Sequence, residues 1–140
     1  MPLVDLDAIP QVPLAFINAD HQEEARLLND LFDAVEALRA GRADREPVLA
    51  RFDLLFDHTR AHFGREEAAM ERTGFPPYPV HKGEHERVLA ELAEEGRCFA
   101  DGGDVERLWR YVSEAVPAWF VAHIQTMDHV TARFVAMREG

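Results

Sequence analysis

Apolar side chains recur every three or four residues along most of the chain, which is the spacing of one face of an α-helix. Such stripes cover residues 17–38, 48–70, 81–99 and 105–127, and the last continues as a tail to Gly140. No segment alternates apolar and polar residues as a half-buried strand does. The pattern predicts four amphipathic helices of roughly 20 to 30 residues with short connections. This is an all-α, up-down-up-down four-helix bundle.

Glycine and proline residues predict where these helices end. Gly41 follows the first stripe and Gly102 follows the third, as expected for helix C-termini. Asp44 can cap the second helix, with Pro47 tolerated in its first turn. Pro117 lies inside the fourth stripe and predicts a kink or a break there.

Two proline-rich segments are expected to be non-helical. Residues 74–79 read Gly-Phe-Pro-Pro-Tyr-Pro and predict a turn between the second and third helices. Residues 1–17 hold three of the eight prolines and predict an extended arm, anchored on the bundle by Leu14 and Phe16. The prediction is one domain over residues 1–140, with the bundle in 18–140.

The composition indicates which partners are unfavourable and which cellular compartment to expect. Fifteen Lys and Arg residues against 26 Asp and Glu residues give a net charge of −11, which repels nucleic acid and anionic lipid. No apolar run is long enough to span a bilayer, and the N-terminus lacks the basic start of a signal peptide. Cys98 is the single cysteine, so no internal disulfide forms and no redox role is expected. We expect a cytoplasmic protein.

Seven ionisable residues lie on or next to the apolar stripes. Burying an unpaired carboxylate or an unsatisfied imidazole costs several kcal/mol of folding free energy. These seven side chains therefore need partners or a bound ion that offset this cost. A bound cation is preferred to separate structural histidines, because every helix contributes at least one of them. The seven predicted metal ligands are His21, His62, Glu66, His81, His85, His123 and Asp128.

Helical spacing allows most of these residues to converge. Four residues turn a helix by only about 40° beyond one turn, so His62 faces the same way as Glu66, and His81 the same way as His85. His123 and Asp128 are five residues apart, which is about 140° on a regular helix. These two converge only if the helix widens, bends or ends between them.

The number of ligands exceeds what one tetrahedral zinc ion uses. Two six-coordinate ions would take five imidazoles, two bridging carboxylates and one bridging oxygen, which leaves one position open. A ligand set of imidazoles and carboxylates favours iron, and it favours manganese or zinc less strongly. A site of this kind binds one small exogenous ligand, such as O2.

The ordered motifs across residues 14–135 resemble those of bacteriohemerythrins. They are Asn18-Ala-Asp-His21, His62-Phe-Gly-Arg-Glu66, Gly74-Phe-Pro76, His81-Lys-Gly-Glu-His85 and Trp119-Phe-Val-Ala-His123 with Asp128. The resemblance implies a four-helix bundle with a non-haem di-iron centre that binds O2 reversibly.

Residue roles follow from this resemblance. His81, His85 and His123 would bind the coordinatively full iron, and His21 and His62 the iron with the open position. Glu66 and Asp128 would bridge. The implied cofactor is two iron ions (Fe2+/Fe3+) with a bridging oxo or hydroxo group. NO, azide and other small anions are further candidate ligands.

A dry pocket is needed for reversible O2 binding. The residues expected to line it are Trp119, Phe120, Phe63, Phe56 and Ile124. Phe120 stands where the family usually has leucine, and Asn18 stands where it usually has aspartate. His58 and His129 are expected to lie outside the metal site, His58 beside it or at the surface and His129 at the surface.

The leading hypothesis is therefore an O2-binding protein for storage, delivery or sensing, and not an enzyme. One alternative is a di-iron oxidase, peroxidase or nitric-oxide-handling enzyme, although ferritin-like enzymes use Glu-x-x-His pairs and this chain has none. The other alternative is an iron- or oxygen-sensing signalling module that contacts a protein partner through the N-terminal arm. The sequence does not identify such a partner.

Overall fold

The computed structural model describes residues 2–139, and its regular elements are all helical. The first three helices of the bundle are α1 (Ala15–Arg39), α2 (Glu46–Thr73) and α3 (Tyr78–Ala100). The fourth helix, residues 105–139, is continuous but contains two wide turns of π-helix. In order it comprises α4 (Val105–Arg110), π1 (Tyr111–Ala115), α5 (Val116–His123), π2 (Ile124–Asp128) and α6 (His129–Glu139). The predicted all-α four-helix bundle is confirmed.

The core lies between the facing apolar stripes of the four helices. Ile17 and Leu31 of α1, Leu55 of α2 and Leu108 of α4 are almost fully buried. At Gly96, α3 comes close to α2, because a Cβ atom there would lie 2.6 Å from a ring carbon of Phe52. Buried apolar residues lie on both sides of the ionisable residues along the bundle, since Met70 and Val135 follow Glu66 and Asp128 and are fully buried.

Helix α1 ends as predicted, whereas α2 starts differently. Gly41 has a left-handed φ of 73°, which closes the C-terminus of α1. The N-cap of α2 is Arg45 and not Asp44, so that prediction was wrong. The guanidinium of Arg45 hydrogen-bonds to the carbonyl of Phe99 and lies over the Phe99 ring at 3.8 Å. This tertiary contact fixes the residue before the helix.

The turn between α2 and α3 is shorter than predicted. Gly74 has a left-handed φ of 69° and ends α2, but α3 already begins at Tyr78. Pro79 therefore lies in the first helical turn. A first-turn proline loses no hydrogen bond, because its missing N–H would have had no helical partner.

Pro117 neither breaks nor ends the fourth helix, so the predicted break does not occur, while the alternative of a kink stays a prediction. The wide turn π1 directly precedes it, and the N–H of Val116 donates to the carbonyl of Tyr111, five residues earlier. A π-turn gives the extra room that the proline ring requires within a continuous helix.

The N-terminal arm is held to α1 by side-chain amides. Asn29 accepts a hydrogen bond from the N–H of Val4 at 2.7 Å and donates to its carbonyl at 2.9 Å. Asn18 makes the same pair of bonds with Val12, at 2.9 and 2.8 Å. Within residues 2–14, Val4, Ile9 and Val12 are the buried anchors, and the predicted anchor Leu14 is only half-buried.

The arm is also shorter than predicted. Leu14 is the extended N-cap residue of α1, and the helix begins at Ala15, so Phe16 is a half-buried helical residue and not part of the arm. Across residues 2–139 no helix is long and apolar enough to cross a membrane.

Candidate metal centre

Each of the four helices contributes to one cluster of ionisable side chains inside the bundle. The seven members are between 0% and 6% exposed, so none is solvated by bulk water. These are the seven residues predicted from the sequence: His21 on α1, His62 and Glu66 on α2, His81 and His85 on α3, His123 at the end of α5, and Asp128 in π2.

Three imidazoles form the first half of the cluster. His81 Nε2 lies 3.1 Å from His123 Nε2, and both atoms are 3.1 Å from Asp128 Oδ1. His85 Nε2 lies 3.3 Å from Glu66 Oε1, which is also 3.5 Å from His81 Nε2. Five potential ligand atoms therefore surround one point.

Two imidazoles form the second half. His21 Nε2 lies 2.8 Å from Asp128 Oδ2, and His62 Nε2 lies 2.8 Å from Glu66 Oε2. The distance from His21 Nε2 to Glu66 Oε2 is 3.9 Å. Each carboxylate thus directs one oxygen at the group of three imidazoles and the other oxygen at the group of two.

This arrangement fits two neighbouring metal ions. Imidazole nitrogens and carboxylate oxygens bind transition metals at about 2.0–2.2 Å, so ligands at right angles around one ion lie about 3 Å apart. The distances within the two groups are 2.8–3.5 Å, close to that value, except for the 3.9 Å between His21 Nε2 and Glu66 Oε2. The atoms Glu66 Oε1, Asp128 Oδ1 and His85 Nε2 are buried without a hydrogen bond. Their lone pairs converge on a shared centre instead of on one another.

The charge of the cluster also favours cations. Burial raises the pKa of Asp128, but the adjacent imidazoles of His123, His21 and His81 hold that pKa well below its usual range. Burial and the Asp128 charge raise the pKa of Glu66, yet His62 and His85 bring it below its usual value. Both carboxylates are therefore ionised.

The imidazole of His62 responds to the same charges. Burial lowers its pKa, while Glu66 and Glu24 together hold that pKa well above the usual value. Without a cation, the protein compensates its buried carboxylates by protonating an imidazole.

The second wide turn brings the last two residues together. The segment π2 spans Ile124–Asp128, and the N–H of His129 reaches the carbonyl of Ile124, five residues back. This is the widening that the five-residue separation of His123 and Asp128 required. It allows both side chains to face the same centre.

Several polar neighbours of the imidazole nitrogens were missed in the sequence. His81 Nδ1 lies 2.7 Å from Thr131 Oγ1, and His85 Nδ1 lies 2.9 Å from Glu67 Oε2. Glu24 Oε1 lies 3.5 Å from His62 Nδ1. Thr131 and Glu24 each follow a predicted ligand by three residues, which places them on the same helix face. That spacing was the available indication.

Aromatic rings cover much of the cluster. Phe63 stacks on His85 with ring centroids 3.8 Å apart, and Trp119 stacks on His123 at 4.4 Å. Phe120 meets His21 edge-on at 5.8 Å. The Trp119 indole N–H donates to Glu84 Oε2 at 2.7 Å, which fixes the ring.

Trp119 and Phe120 also line a small pocket of about 30 Å³, together with aliphatic side chains and the polar residues Glu24, Thr59, Glu91 and Tyr111. The other predicted pocket residues lie elsewhere. Phe63 faces His85 and His62 within the cluster, and Ile124 is buried in the core. Phe56 lines a separate groove with Phe52. Their contribution to an O2 pocket stays a prediction.

The two remaining histidines lie outside the seven-residue cluster. His58 is half-buried, 3.4 Å from Glu24 Oε1, with its Nε2 3.2 Å from the Asp20 carbonyl. His129 is half-buried next to Asp128 and belongs to none of the potential ligand groups within residues 2–139.

Cys98 is a free, half-buried thiol near Glu94.

Comparison with known proteins agrees with the geometry. Residues 12–135 match the Hemerythrin HHE cation binding domain. A bacteriohemerythrin of Ralstonia nicotianae is 34% identical over 138 residues, covering 99% of this chain and 93% of the relative. One of Aquifex aeolicus is 28% identical, covering 94% and 96%.

Solved structures show the same fold. A hemerythrin crystal structure with a leucine-to-tyrosine substitution superposes with a TM-score of 0.82 at 23% identity, covering 96% of this chain and 98% of the other. The matched domain, the relatives and the buried cluster lead to one conclusion. The chain belongs to the hemerythrin family, whose members bind O2 at a non-haem di-iron centre.

Proposed function

We propose that this chain stores, delivers or senses oxygen by binding O2 reversibly at two irons held by its seven buried ligands. The observation that supports this proposal is the division of the two carboxylates. Glu66 and Asp128 each offer one oxygen to three imidazoles and the other oxygen to two. The unequal number of imidazoles leaves one ion with a free position.

In this proposal His81, His85 and His123 hold the full iron, and His21 and His62 hold the iron with the free position. Glu66 and Asp128 bridge. When bound, a pair of ferrous ions supplies the electrons that reversible O2 binding requires. The chain's own part is to fix the ligands on four helices and to keep the carboxylates ionised.

The surrounding rings favour a carrier because they exclude water. Phe120 against His21, Phe63 against His85 and Trp119 against His123 cover the cluster with hydrocarbon. Water promotes irreversible loss of reduced oxygen species, so a dry site favours release of O2 intact. Hemerythrins are O2-binding proteins and not typically enzymes, and we extend this to the present chain.

The proposed ligands are O2 and, as competitors at the free position, NO, azide and other small anions. The net charge of −11 argues against nucleic acid and anionic membranes as partners. The cytoplasm stays the predicted compartment.

Metal analysis combined with absorption spectroscopy tests the proposal. Protein loaded with ferrous iron under argon should contain two irons per chain and be colourless. It should develop a visible charge-transfer band under air and lose that band when argon is restored. A spectral change that does not reverse, accompanied by oxidation of an added substrate, would instead support the enzyme alternative.

The ligand set has its own test. Glu66→Ala or Asp128→Ala should reduce the bound iron to well below two per chain, because each removes ligands from both ions. His58→Ala and His129→Ala serve as controls and should retain two irons. Loss of iron in a control, or full retention in Glu66→Ala, would show that the ligand set is wrong.

A further inference from the structure

A second carboxylate stands behind His62, on the side of the ring away from the cluster. Glu24 lies on α1, one helical turn after His21, and its side chain is 12% exposed. Its Oε2 accepts a hydrogen bond from the buried Thr59 hydroxyl at 2.5 Å. Its Oε1 is buried, has no hydrogen-bond partner and lies 3.5 Å from His62 Nδ1.

His62 Nδ1 is the matching atom. It too is buried without a hydrogen-bond partner, and the side chain is only 3% exposed. The other ring nitrogen, Nε2, faces Glu66 Oε2 inside the cluster. An imidazole that binds a metal through Nε2 carries its proton on Nδ1 and needs an acceptor there. Glu24 Oε1 and His62 Nδ1 therefore satisfy each other once that proton is present.

Thr59 decides which oxygen is available. It lies on α2, one turn before His62, and is 2% exposed. Its hydroxyl shares one proton between Glu24 Oε2 and the Leu55 carbonyl, at 2.5 and 2.8 Å. Because Oε2 is the Glu24 oxygen beside Thr59, the free oxygen Oε1 is turned toward the ring of His62. Three residues from two helices thus form a chain from Thr59 through Glu24 to His62.

The other potential acceptors serve different imidazoles. Glu67 accepts from His85 and Thr131 faces His81, both in the group of three. His58 Nε2 lies 3.4 Å from the same Glu24 oxygen and 3.2 Å from the Asp20 carbonyl, and of these two it forms a hydrogen bond with the carbonyl. Among the described residues, Glu24 is the one carboxylate facing an Nδ1 atom in the group of two.

We propose that Glu24 is a positioning residue that holds the proton on His62 Nδ1 and aims Nε2 at the iron with the free position. This inference rests on the function proposed above. An anionic acceptor makes the imidazole a stronger donor, which favours the ferric state of the ion it binds. Glu24 therefore controls both how tightly that iron is held and how readily it is oxidised.

The first test is metal binding. Ferrous iron alone is titrated under argon into protein variants in competition with a chelator. Glu24→Gln removes the negative charge, and Glu24→Ala removes the acceptor. Both variants should lower the affinity for one of the two ions by about 10–100-fold and leave the affinity for the other unchanged. His58→Ala, which alters a neighbour of the same oxygen, should bind two ions with wild-type affinity.

The second test separates positioning from a general effect on folding. The reduction potential of the iron centre should rise in Glu24→Gln, because the ferric state loses an anionic partner. Thr59→Val leaves the carboxylate in place but frees it to turn, and should produce a smaller change in the same direction. Glu24→Asp should recover part of the wild-type potential. Circular dichroism confirms that each variant retains its helices.

Unchanged affinity and potential in Glu24→Gln would overturn the proposal. Equal weakening of both ions would also overturn it, since Glu24 faces only one of the two groups. Failure of the proposed function looks different. A wild-type protein that binds two irons but does not bind O2 reversibly would contradict that function, while the affinity difference between wild type and Glu24→Gln would still test Glu24.

Discussion

At the scale of single residues, the molecule is defined by ionisable groups that hydrocarbon surrounds. Glu66 and His85 have no measurable exposure, and Asp128 is 1% exposed. Unpaired groups in such places cost several kcal/mol, so each must be matched by a partner or a cation. Among residues 2–139, the buried side-chain atoms without a hydrogen-bond partner belong almost entirely to the seven residues around the two predicted metal positions. The exception is Glu24, whose Oε1 faces His62.

Thr131 provides a prediction at this scale. Thr131→Val keeps the shape of the side chain but removes the hydroxyl that faces His81 Nδ1 at 2.7 Å. Without this partner the ring loses its fixed orientation, and metal affinity should fall by about 10–100-fold in a chelator competition. Thr126→Val is the matched control, because that exposed hydroxyl bonds only to the Ala122 carbonyl of its own helix. Equal affinities in the two variants would contradict this role.

At the scale of the helices, capping residues in the sequence predict most helix ends. At a few ends, contacts with another helix determine where the helix begins instead. The fourth helix starts where predicted, with Asp104 Oδ1 accepting from the N–H of Glu106 at 3.0 Å. The second helix starts after Arg45, whose side chain is fixed by Phe99 in the last turn of α3. In the fourth helix, π1 accommodates Pro117 and π2 turns Asp128 toward His123.

The two aspartates near helix starts give a paired prediction. Asp104→Ala should lower the free energy of unfolding by about 1 kcal/mol, because it leaves the first-turn N–H of Glu106 without its acceptor. Asp44→Ala should change it by less than about 0.5 kcal/mol, as an ordinary surface substitution does. Urea unfolding of both variants measures the difference. A larger loss in Asp44→Ala than in Asp104→Ala would show that the caps are misassigned.

At the scale of the whole molecule, the buried cluster links stability to metal and to pH. Iron binds neutral imidazoles and ionised carboxylates, so loading stabilises the fold increasingly as the pH rises. Metal-free protein instead compensates Glu66 and Asp128 with protonated imidazole. The two forms should therefore respond to pH in opposite ways.

The signs follow from the shifted pKa values. The pKa of His62, which faces Glu24, Glu66 and His58, is raised on folding. Its contribution to the stability of metal-free protein is complete below about pH 6.5 and is lost as the pH rises through the folded pKa. The pKa values of Glu66 and Asp128 are lowered, so their contribution is present above about pH 4 and is lost as the pH falls.

We therefore predict that metal-free protein is most stable between about pH 4 and 6.5 and less stable at pH 8. The iron-loaded protein should gain stability from pH 6 to 8. Urea unfolding of both forms at several pH values measures this, and His62→Gln should reduce the loss at pH 8 in the metal-free form. Parallel pH profiles for the two forms would contradict the prediction.

The sequence alone determined the four helices and the identity of the clustered residues. Helical periodicity shows which side chains share the apolar face of their own helix, and ionisable residues on such a face stand out because burial is costly. His21, His62 and His81 were identified in this way, and the tertiary structure brings them together with the other four.

Only the tertiary structure decided how the helices face one another. The roles of Glu24, Glu67 and Thr131 as partners of imidazoles depend on the rotation and offset of neighbouring helices, which periodicity within one helix does not contain. The same is true of Arg45 at the start of α2. The division of each carboxylate between two groups of imidazoles is also a property of the packed bundle, because it requires atoms from all four helices at fixed distances.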